Sequence, residues 1–335
     1  MGGGGVLTPP DGLPEDMLVR ALASGWDMSV SSLAYRAVGF GSHHWEVIDT
    51  AGTRWFVTAD ELENKRHALD EPLDAAFGRL RAALAAAADL RNHGHAFVLA
   101  PVPAAGGDPL VRVNERFGAA VYPFVDGQSF AWGEFSAPAH RREVLDLIIA
   151  VHMAPGAVAR HAMADDFAVP HRDELESALD SAGAVTDLGP YARPVALLVA
   201  ENAVPIRRLL ARYDELVAQS RSGPSGTVLT HGEPHPGNTL MTPRGCLLID
   251  WDTALVAPPE RDLWSLDPGD GSILAAYADA TGVAPLPSML ELYRIRWDLA
   301  DIAIDVSRFR RRHSGSAEDD ESWRVLTHLI ARIRG

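Results

Sequence analysis

The chain has 335 residues, of which 47% are hydrophobic and 22% are charged, and its formal net charge at pH 7 is −15. This composition is typical of a folded globular protein, and the length is sufficient for two lobes or domains. The negative charge argues against binding to nucleic acids or to anionic membrane surfaces, and it favours a small, cationic partner.

The sequence predicts neither a secreted protein nor a membrane protein. Residues 1–5 are mostly glycine and lack the charged and apolar regions of a signal peptide. The chain has no run of about 18 uninterrupted apolar residues, the length of a transmembrane helix. Cys246 is the only cysteine, so an internal disulfide cannot form, as expected in a reducing compartment. We therefore expect a cytoplasmic location.

Short runs of alternating apolar and polar residues follow a helix predicted over residues 14–24, and this alternation is typical of antiparallel strands. The strands are predicted over residues 31–38, 45–48, 54–58, 96–100, 112–113 and 119–122. A glycine-bearing turn with Gly39, Gly41 and Ser42 joins the first two strands. Backbone N–H groups in such a turn can bind phosphate, although a plain hairpin turn has the same sequence pattern.

Helical periodicity is predominant in the rest of the chain. An alanine-rich helix is predicted over residues 71–91, between the third and fourth strands, and further helices follow after residue 127. They are predicted over residues 141–153, 173–181, 192–219, 272–281, 287–310 and 321–334. Pro205 is expected to bend or split the third of these helices. The pattern therefore predicts a mostly β first part and a mostly helical second part.

The stretch over residues 228–252 contains the chemically informative side chains. Two apolar runs flank a polar loop and a Thr-Pro-Arg-Gly turn, so we expect a hairpin closed at residues 242–245. Its simplest register places Asn238 diagonal to Asp250, at about 7–8 Å. An amide oxygen and a carboxylate at this spacing can bind one Mg²⁺ ion from two sides.

Glu233 lies five residues before Asn238, in a loop too rich in Gly and Pro to be helical. A base and two magnesium ligands are the minimum set for phosphoryl transfer. Taken singly, an Asp at a strand end or an Asn after Gly usually caps a turn, so the interpretation depends on the joint pattern. A zinc site with His231 and His235 is excluded, because Gly and Pro break the helical His-Glu motif and no cysteine pair is present.

This stretch resembles the catalytic centre of aminoglycoside phosphotransferases and related small-molecule kinases, which share the protein-kinase fold. In that family a His-Gly-Asp sequence is followed by an Asn and then by a strand that ends in Asp. His231, Glu233, Asn238 and Asp250 occupy these positions, with Glu233 in place of the usual Asp. The likeness to spectinomycin-type phosphotransferases is particularly close in pattern.

The resemblance implies an α+β, two-lobed protein-kinase-like fold, with a small antiparallel β N-lobe over residues 1–123 and a larger helical C-lobe over residues 124–335. It implies transfer of the γ-phosphoryl group of ATP or GTP to a hydroxyl of a cationic aminoglycoside-like or aminocyclitol-like substrate. The expected catalytic residues are Glu233, as the base, and His231, which would hold the loop. The expected Mg²⁺ ligands are Asn238 and Asp250, and Asp262 would brace the loop.

The resemblance is weaker in the nucleotide-binding lobe. The glycine-bearing turn would cover the phosphates, and the backbone of Pro123, Phe124 and Val125 would contact adenine. Thr58 stands where related kinases have a lysine that binds the α- and β-phosphates, and the helix over residues 71–91 has no Glu to pair with it. The positive charge is either supplied by another residue or missing. The cations considered as replacements are Lys65, Arg79 and Arg81, although each is more simply interpreted as a solvated surface residue.

Asp298, Asp301 and Asp305 are spaced three and four residues apart and therefore fall on one face of a helix. They either bind a cationic substrate, as the resemblance implies, or form a solvated helix face. Two other functions also remain open. One is a metabolic kinase of the same fold, acting on choline, homoserine or a sugar-like substrate, and the other is an inactive, nucleotide-binding relative.

Overall fold

The computed structural model describes residues 8–39, 41–181, 188–222 and 226–333. The glycine-rich residues 1–5, Phe40 in the glycine-bearing turn and residue 334 of the last predicted helix lie outside these ranges. Among the described residues, no helix is both long enough and apolar enough to cross a membrane.

The first lobe is built on a five-stranded antiparallel sheet. Its strands are β1 (Val30–Arg36), β2 (His43–Asp49), β3 (Arg54–Glu61), β4 (Val111–Arg112) and β5 (Phe117–Pro123). Their spatial order is β1-β2-β3-β5-β4, and each pair of neighbours is antiparallel. The small antiparallel lobe predicted from the sequence is therefore confirmed.

Helices cover both faces of this sheet, because successive side chains of a strand point to opposite faces. Helix α1 (Glu15–Trp26) packs against the apolar face, where Trp45, Val57 and Val121 are buried. Helix α2 (Leu73–Asn92) packs against part of the other face through leucine side chains. The rest of that second face carries polar residues of β3 and lies toward the second lobe.

The prediction of a sheet strand over residues 96–100 is wrong. This segment pairs with the second lobe instead. The Leu99 N–H donates to the Leu248 carbonyl at 3.0 Å, and the Leu248 N–H donates to the Phe97 carbonyl at 2.8 Å. Pro101 follows at once and lacks the N–H group that a continuing ladder needs.

The second lobe is mainly helical and also contains two small sheets. Its helices are α3 (Pro138–His152), α4 (Arg172–Asp180), α5 (Ala192–Glu201), α6 (Ala203–Ser222), α7 (Glu260–Leu266), α8 (Ser272–Thr281), α9 (Pro287–Phe309) and α10 (Ala317–Ile333). Its strands are β6 (Gln128–Ser129), β7 (Val228–Thr230), β8 (Thr239–Thr242), β9 (Gly245–Leu248) and β10 (Leu255–Ala257). The β6, β8 and β9 strands form one sheet, and β7 pairs with β10.

The long stretch predicted over residues 192–219 forms two helices, but the break is not at Pro205. Helix α5 ends at Glu201 and α6 begins at Ala203, with Asn202 between them. Pro205 lies in the first turn of α6. An N–H group in a first turn has no intrahelical acceptor, so proline is tolerated there without breaking the helix.

Strand β5 ends at Pro123, where the sequence predicts the boundary between the lobes. Val98 precedes this boundary but is buried beside Leu248 of the second lobe. The chain between α2 and β4 therefore contributes to the packing of both lobes. The division into residues 1–123 and 124–335 stays a prediction.

Candidate active site

The hairpin of β8 and β9 has the register predicted from the sequence. Thr242 lies opposite Gly245, and the Ile249 N–H donates to the Asn238 carbonyl at 3.0 Å. Asn238 is therefore diagonal to Asp250. The φ of Asp250 is +64°, a left-handed conformation that is uncommon for non-glycine residues. Backbone strain of this kind is concentrated at active sites and ligand clamps.

His231 holds the loop that follows β7. Its ring is fully buried, Nε2 lies 2.9 Å from the Ile249 carbonyl oxygen, and Nδ1 lies 3.3 Å from the Glu233 backbone nitrogen. Burial lowers the pKa of His231 to about 4, so the ring is neutral near pH 7, donates from Nε2 and accepts at Nδ1. Because the protein uses both ring nitrogens, His231 positions the loop and does not offer an atom to a substrate.

Asp262 on α7 accepts hydrogen bonds from two backbone N–H groups of the same loop. Its Oδ2 lies 2.9 Å from the His231 nitrogen, and its Oδ1 lies 2.5 Å from the Gly232 nitrogen. Oδ2 also lies 3.0 Å from Nε2 of His152, whose Nδ1 is 3.0 Å from the Tyr277 hydroxyl. Burial alone would raise the pKa of Asp262, but the hydrogen bond with His152 contributes to a pKa below the usual value. The buried carboxylate therefore stays ionised and braces the loop.

Position 232 has no room for a side chain. The φ of Gly232 is +101°, and a Cβ atom there would lie 2.5 Å from Nη2 of Arg261 and 2.7 Å from Oγ1 of Thr253. Arg261 is itself fixed, since it donates to Oγ1 of Thr230 at 2.8 Å and to the Thr253 carbonyl at 2.7 Å. The close approach of the loop to α7 therefore requires glycine.

Glu233 and Asn238 are tied together within the loop. Nδ2 of Asn238 donates to the Glu233 carbonyl at 3.0 Å, which leaves the amide Oδ1 as the atom that can bind a cation. The Glu233 side chain is 9% exposed, and its Oε2 lies 3.7 Å from Nε2 of His235, beyond hydrogen-bond distance. This carboxylate can therefore accept a hydrogen bond from a hydroxyl group brought to it.

Four carboxylates, which we call the cleft carboxylates, lie where the two lobes meet. They are Asp60 on β3, Glu233 in the loop, and Asp250 and Asp252 after β9. Asp250 has an exposed surface, but the dense protein around it raises its pKa well above the usual value by burial, and repulsion from the other three carboxylates adds to this. Exposure to solvent limits how much burial contributes to the raised pKa of Asp250. The contribution from charge repulsion is the one that a bound cation would remove.

Lys65 places its ammonium group in contact with this cluster. Its Nζ lies 2.7 Å from Oδ2 of Asp252 and 3.0 Å from Oδ1 of Asp60, and the side chain is 17% exposed. Burial alone would lower the pKa of Lys65, but Asp252 and Asp60 raise it well above the usual value, so the group is charged. From the sequence, Lys65 was one of three candidate cations, and the structure brings it into the cleft.

The glycine-bearing turn lies beside the same cluster. Gly39 and Gly41 have φ values of +75° and +79°, which glycine adopts without strain. The Ser42 hydroxyl donates to Oδ1 of Asp60 at 2.6 Å. The turn is therefore connected to the cleft carboxylates through a side chain of β3.

The other residues predicted to bind the nucleotide lie on β3 and at the end of β5. Thr58 hydrogen-bonds with Tyr122, whose hydroxyl is close enough to the cleft carboxylates for their charges to raise its pKa further than burial alone. The Phe124 N–H donates to the Arg54 carbonyl at 3.2 Å and is therefore already used in pairing. Contacts to adenine here would fall to the Phe124 carbonyl and to the backbone of Val125.

Three aspartates of α9, which we call the helix-face carboxylates, are Asp298, Asp301 and Asp305. They are 9%, 9% and 2% exposed, so they do not form the solvated face considered from the sequence. Asp298 pairs with Arg332, and Asp305 hydrogen-bonds with Ser322. Burial, followed by repulsion from Asp301, raises the pKa of Asp305 to about 7. Both named partners belong to α10 and not to the catalytic loop.

Comparison with known proteins agrees with this arrangement. Residues 35–295 match the sequence model of APH, the phosphotransferase enzyme family. The chain belongs to this family. Protein StrN of Streptomyces griseus is 33% identical to this APH-family phosphotransferase over 263 residues, which cover 73% of this chain and 75% of StrN.

Solved structures of low sequence identity share the fold of this APH-family enzyme. Spectinomycin phosphotransferase in complex with ADP and spectinomycin matches with a TM-score of 0.69 and 15% identity, over 96% of this chain and 97% of that chain. A microcompartment-associated aminopropanol kinase matches with a TM-score of 0.61 and 15% identity, over 96% and 97%. The predicted two-lobed, protein-kinase-like fold and the predicted phosphotransferase class are therefore confirmed.

Proposed function

We propose that this phosphotransferase transfers the γ-phosphoryl group of ATP or GTP to a hydroxyl group of a small, cationic molecule of the aminocyclitol or aminoglycoside type. The main support is the joint position of Glu233, Asn238 and Asp250 on one loop-and-hairpin unit. A base and two oxygen ligands in this arrangement meet the needs of phosphoryl transfer, which depends on positioning and charge neutralisation.

Glu233 is proposed to orient the acceptor hydroxyl and to take its proton. The carboxylate is 9% exposed, and its neighbour His235 lies too far away, at 3.7 Å, to occupy it fully. His231 and Asp262 hold the loop from behind, so the carboxylate is presented on a rigid support. Glu233 therefore acts on the substrate, while His231 and Asp262 act through the loop.

Mg²⁺ fits the donor atoms at this site. Oδ1 of Asn238 and the carboxylate of Asp250 are hard oxygen ligands, and repulsion among the cleft carboxylates favours a bound cation. Among the described residues, no group of three or more His, Cys, Asp or Glu side chains is arranged to hold a metal alone. Mg²⁺ usually completes its shell with water and substrate phosphates. When bound, it would neutralise charge on the phosphates.

The nucleotide is proposed to lie between the glycine-bearing turn and the cleft carboxylates. Gly39, Gly41 and Ser42 would cover the phosphates, and the Phe124 carbonyl and Val125 backbone would contact the base. The spectinomycin phosphotransferase of similar fold binds ADP together with spectinomycin, which supports a nucleotide and a small acceptor in one cleft.

A cationic acceptor is favoured by the net charge of −15 and by the acidic cleft. A metabolic kinase for an amino alcohol is the second candidate, because an aminopropanol kinase has the same fold at similar coverage. Both candidates combine a hydroxyl group with a cationic nitrogen. Substrate capture by the helix-face carboxylates stays a prediction.

The test is a phosphorylation assay of the purified protein with Mg²⁺ and either ATP or GTP. The acceptor panel should contain spectinomycin, other aminocyclitols, choline, aminopropanol and homoserine, with ADP or GDP release and acceptor phosphate both measured. We expect Mg²⁺-dependent transfer to an aminocyclitol. Nucleotide binding without transfer to any acceptor of the panel would instead favour an inactive relative.

A further inference from the structure

The cleft face of β3 carries one cation, Arg54, which pairs with Glu46 and Asp126 at the far end of the strand from Asp60 and is not available to phosphates there. Thr58 stands at the position of the missing lysine and is engaged with the Tyr122 hydroxyl. Asp60, two residues further along the same face, adds a negative charge. A nucleotide in this cleft would therefore meet a repulsive strand unless a cation reaches it from another element.

Lys65 reaches this place from a different element. The chain leaves β3 through a 3₁₀ turn over Leu62–Lys65, and the lysine side chain returns to the cleft. Its Nζ lies 3.0 Å from Oδ1 of Asp60 and 2.7 Å from Oδ2 of Asp252, so it joins β3 to the catalytic hairpin. A Cβ atom built on Gly41 would lie 4.0 Å from the same Nζ. The ammonium group is therefore between the phosphate-covering turn and the metal-binding side of the cleft.

Helix α2 fixes the backbone of this turn. Nη2 of Arg79 donates to the Lys65 carbonyl at 2.8 Å, and the same guanidinium pairs with Glu71. Arg79 is thereby used in support of the turn. Arg81 points elsewhere, since it is 52% exposed and lies 3.8 Å from Asp108. Of the three cations considered from the sequence, Lys65 is the one in contact with the cleft carboxylates.

We propose that Lys65 is the phosphate-anchoring cation of this enzyme, supplied from the turn after β3 and not from β3 itself. This role rests on the proposed nucleotide binding. Without nucleotide, Asp60 and Asp252 hold the ammonium group in place. When Mg²⁺ and nucleotide enter, the Lys65 ammonium group reaches phosphate oxygens from the same position. Its support comes from Arg79 of α2, where related kinases use a Lys–Glu ion pair.

The test compares ligands that differ only in their phosphates. Binding of adenosine and of ADP, the latter with Mg²⁺, is measured by calorimetry for the wild-type protein and for Lys65→Met. We expect Lys65→Met to weaken ADP binding by about 10- to 100-fold, the usual effect of losing a charge-assisted hydrogen bond, with adenosine binding unchanged. Arg81→Met, which removes a positive charge from α2 away from the cleft, is the matched control and should bind both ligands like the wild type.

The outcomes distinguish a failure of the proposed function from a failure of the role of Lys65. If the wild type binds neither ADP nor GDP in the presence of Mg²⁺, the proposed function itself fails; if it binds only GDP, guanosine and GDP replace adenosine and ADP in the comparison. If the wild type binds ADP and Lys65→Met binds it equally well, only the role of Lys65 is overturned. An equal loss of adenosine and ADP affinity also overturns it, because Lys65 would then merely hold the lobes together.

A second variant guards against misfolding and adds a rescue. If Lys65→Met leaves two carboxylates unpaired and unfolds the protein, Lys65→Met/Asp60→Asn removes both members of one pair and is measured in its place. Adding Thr58→Lys to either background returns a lysine to β3. Recovery of ADP affinity without any change in adenosine affinity would identify the lost function as phosphate binding.

Discussion

The cleft carboxylates and the helix-face carboxylates look alike in sequence but differ in how their charge is balanced. The four cleft carboxylates share one ammonium group, which contacts Asp60 and Asp252, so three negative charges remain when all groups are ionised. The helix-face carboxylates instead pack between α9 and α10, where Arg332 pairs with Asp298 and Ser322 bonds to Asp305. One cluster faces a cleft between lobes, and the other is enclosed by a neighbouring helix.

This contrast indicates what each cluster is built for. Like charges that the protein leaves unbalanced raise their own pKa values and lower the free energy of any cation that joins them. Carboxylates that are already paired or hydrogen-bonded within the protein gain much less from an added cation. The contrast supports the proposed Mg²⁺ and nucleotide site in the cleft, whereas Asp298 and Asp305 of α9 already have partners on α10.

The largest expected effect comes from Glu233→Gln, which keeps the size of the side chain and removes its negative charge. We expect kcat to fall by about 10²- to 10⁴-fold, the usual contribution of a positioned base, while Mg·ATP binding stays nearly the same. Initial rates of acceptor phosphorylation and calorimetric binding measure the two quantities. Glu233→Asp, which restores the residue usual in the family, should keep more activity than Glu233→Gln. Full activity in Glu233→Gln would remove Glu233 from its proposed role.

Asp250→Asn is expected to act mainly on the metal. Asn tolerates a left-handed backbone, so the φ of +64° at this position can be kept. We expect the Mg²⁺ concentration for half-maximal activity to rise by about tenfold or more, since the variant loses a charged ligand. Because the pKa of Asp250 is raised, protons compete with Mg²⁺, and the apparent Mg²⁺ affinity of the wild type should fall as the pH is lowered. The variant should show a weaker pH dependence.

The control for this experiment comes from the other cluster. Asp298→Asn makes the same chemical change on α9, where Arg332 is the cationic partner. We expect its Mg²⁺ requirement to equal that of the wild type. If Asp298→Asn and Asp250→Asn shift the Mg²⁺ requirement alike, the difference drawn between the two clusters is wrong.

Local pattern was sufficient to predict the hairpin and its register. The turn over residues 242–245 closes as expected, and Asn238 pairs beside residue 249. These contacts are close in sequence, and turn chemistry with alternation determines them. The strand predicted over residues 96–100 had the same local signal, yet its partner is β9 of the other lobe. Local pattern does not reveal which edge a short apolar run will join.

The parts of the site that sequence reasoning left open, such as the choice of Lys65, or missed, such as His152, depend on long-range contacts. Lys65 meets Asp252 across 187 positions of sequence, and His152 meets Asp262 across 110. Neither pair leaves a spacing signal. The one usable signal was compositional, because Lys65 is the only lysine in a chain whose other basic residues are arginine. His152 and Tyr277 had no signal of this kind, since each lies on a helix with ordinary periodicity.

Asp305→Asn separates packing from substrate capture on α9. The pKa of Asp305 is raised to about 7 by burial and by Asp301, from an ordinary value near 3.8, so the unfolded chain loses this proton before the native state does and stability falls as the pH rises from about 4 through 7. Asn cannot ionise, and we expect Asp305→Asn to raise the free energy of unfolding at pH 8 by at most about 4 kcal/mol, with no gain at pH 4. Chemical denaturation at the two pH values measures this. An unchanged KM for the acceptor should accompany it, whereas a raised KM without stabilisation would support substrate capture.

His231→Gln should reveal the opposite pH dependence in the support of the cleft. The pKa of His231 is lowered to about 4 by burial, from 6.5, so the unfolded chain takes up a proton before the native state does. Stability of the wild type therefore falls as the pH drops from about 6.5 to 4, by up to about 3 kcal/mol from this residue. Gln does not take up a proton in this range. The wild type should therefore lose its advantage in unfolding free energy over the variant as the pH drops from about 6.5 to 4.

The difference between the two proteins isolates His231, because other histidines stay in place in both. His67, whose pKa burial likewise lowers to about 4, contributes the same slope to each and cancels. His328→Gln, on the exposed side of α10, provides a matched change that should leave the slope as in the wild type. If the His231→Gln protein loses stability with acid as steeply as the wild type, the fold does not keep the His231 ring neutral, and the donor and acceptor roles assigned to its two nitrogens are wrong.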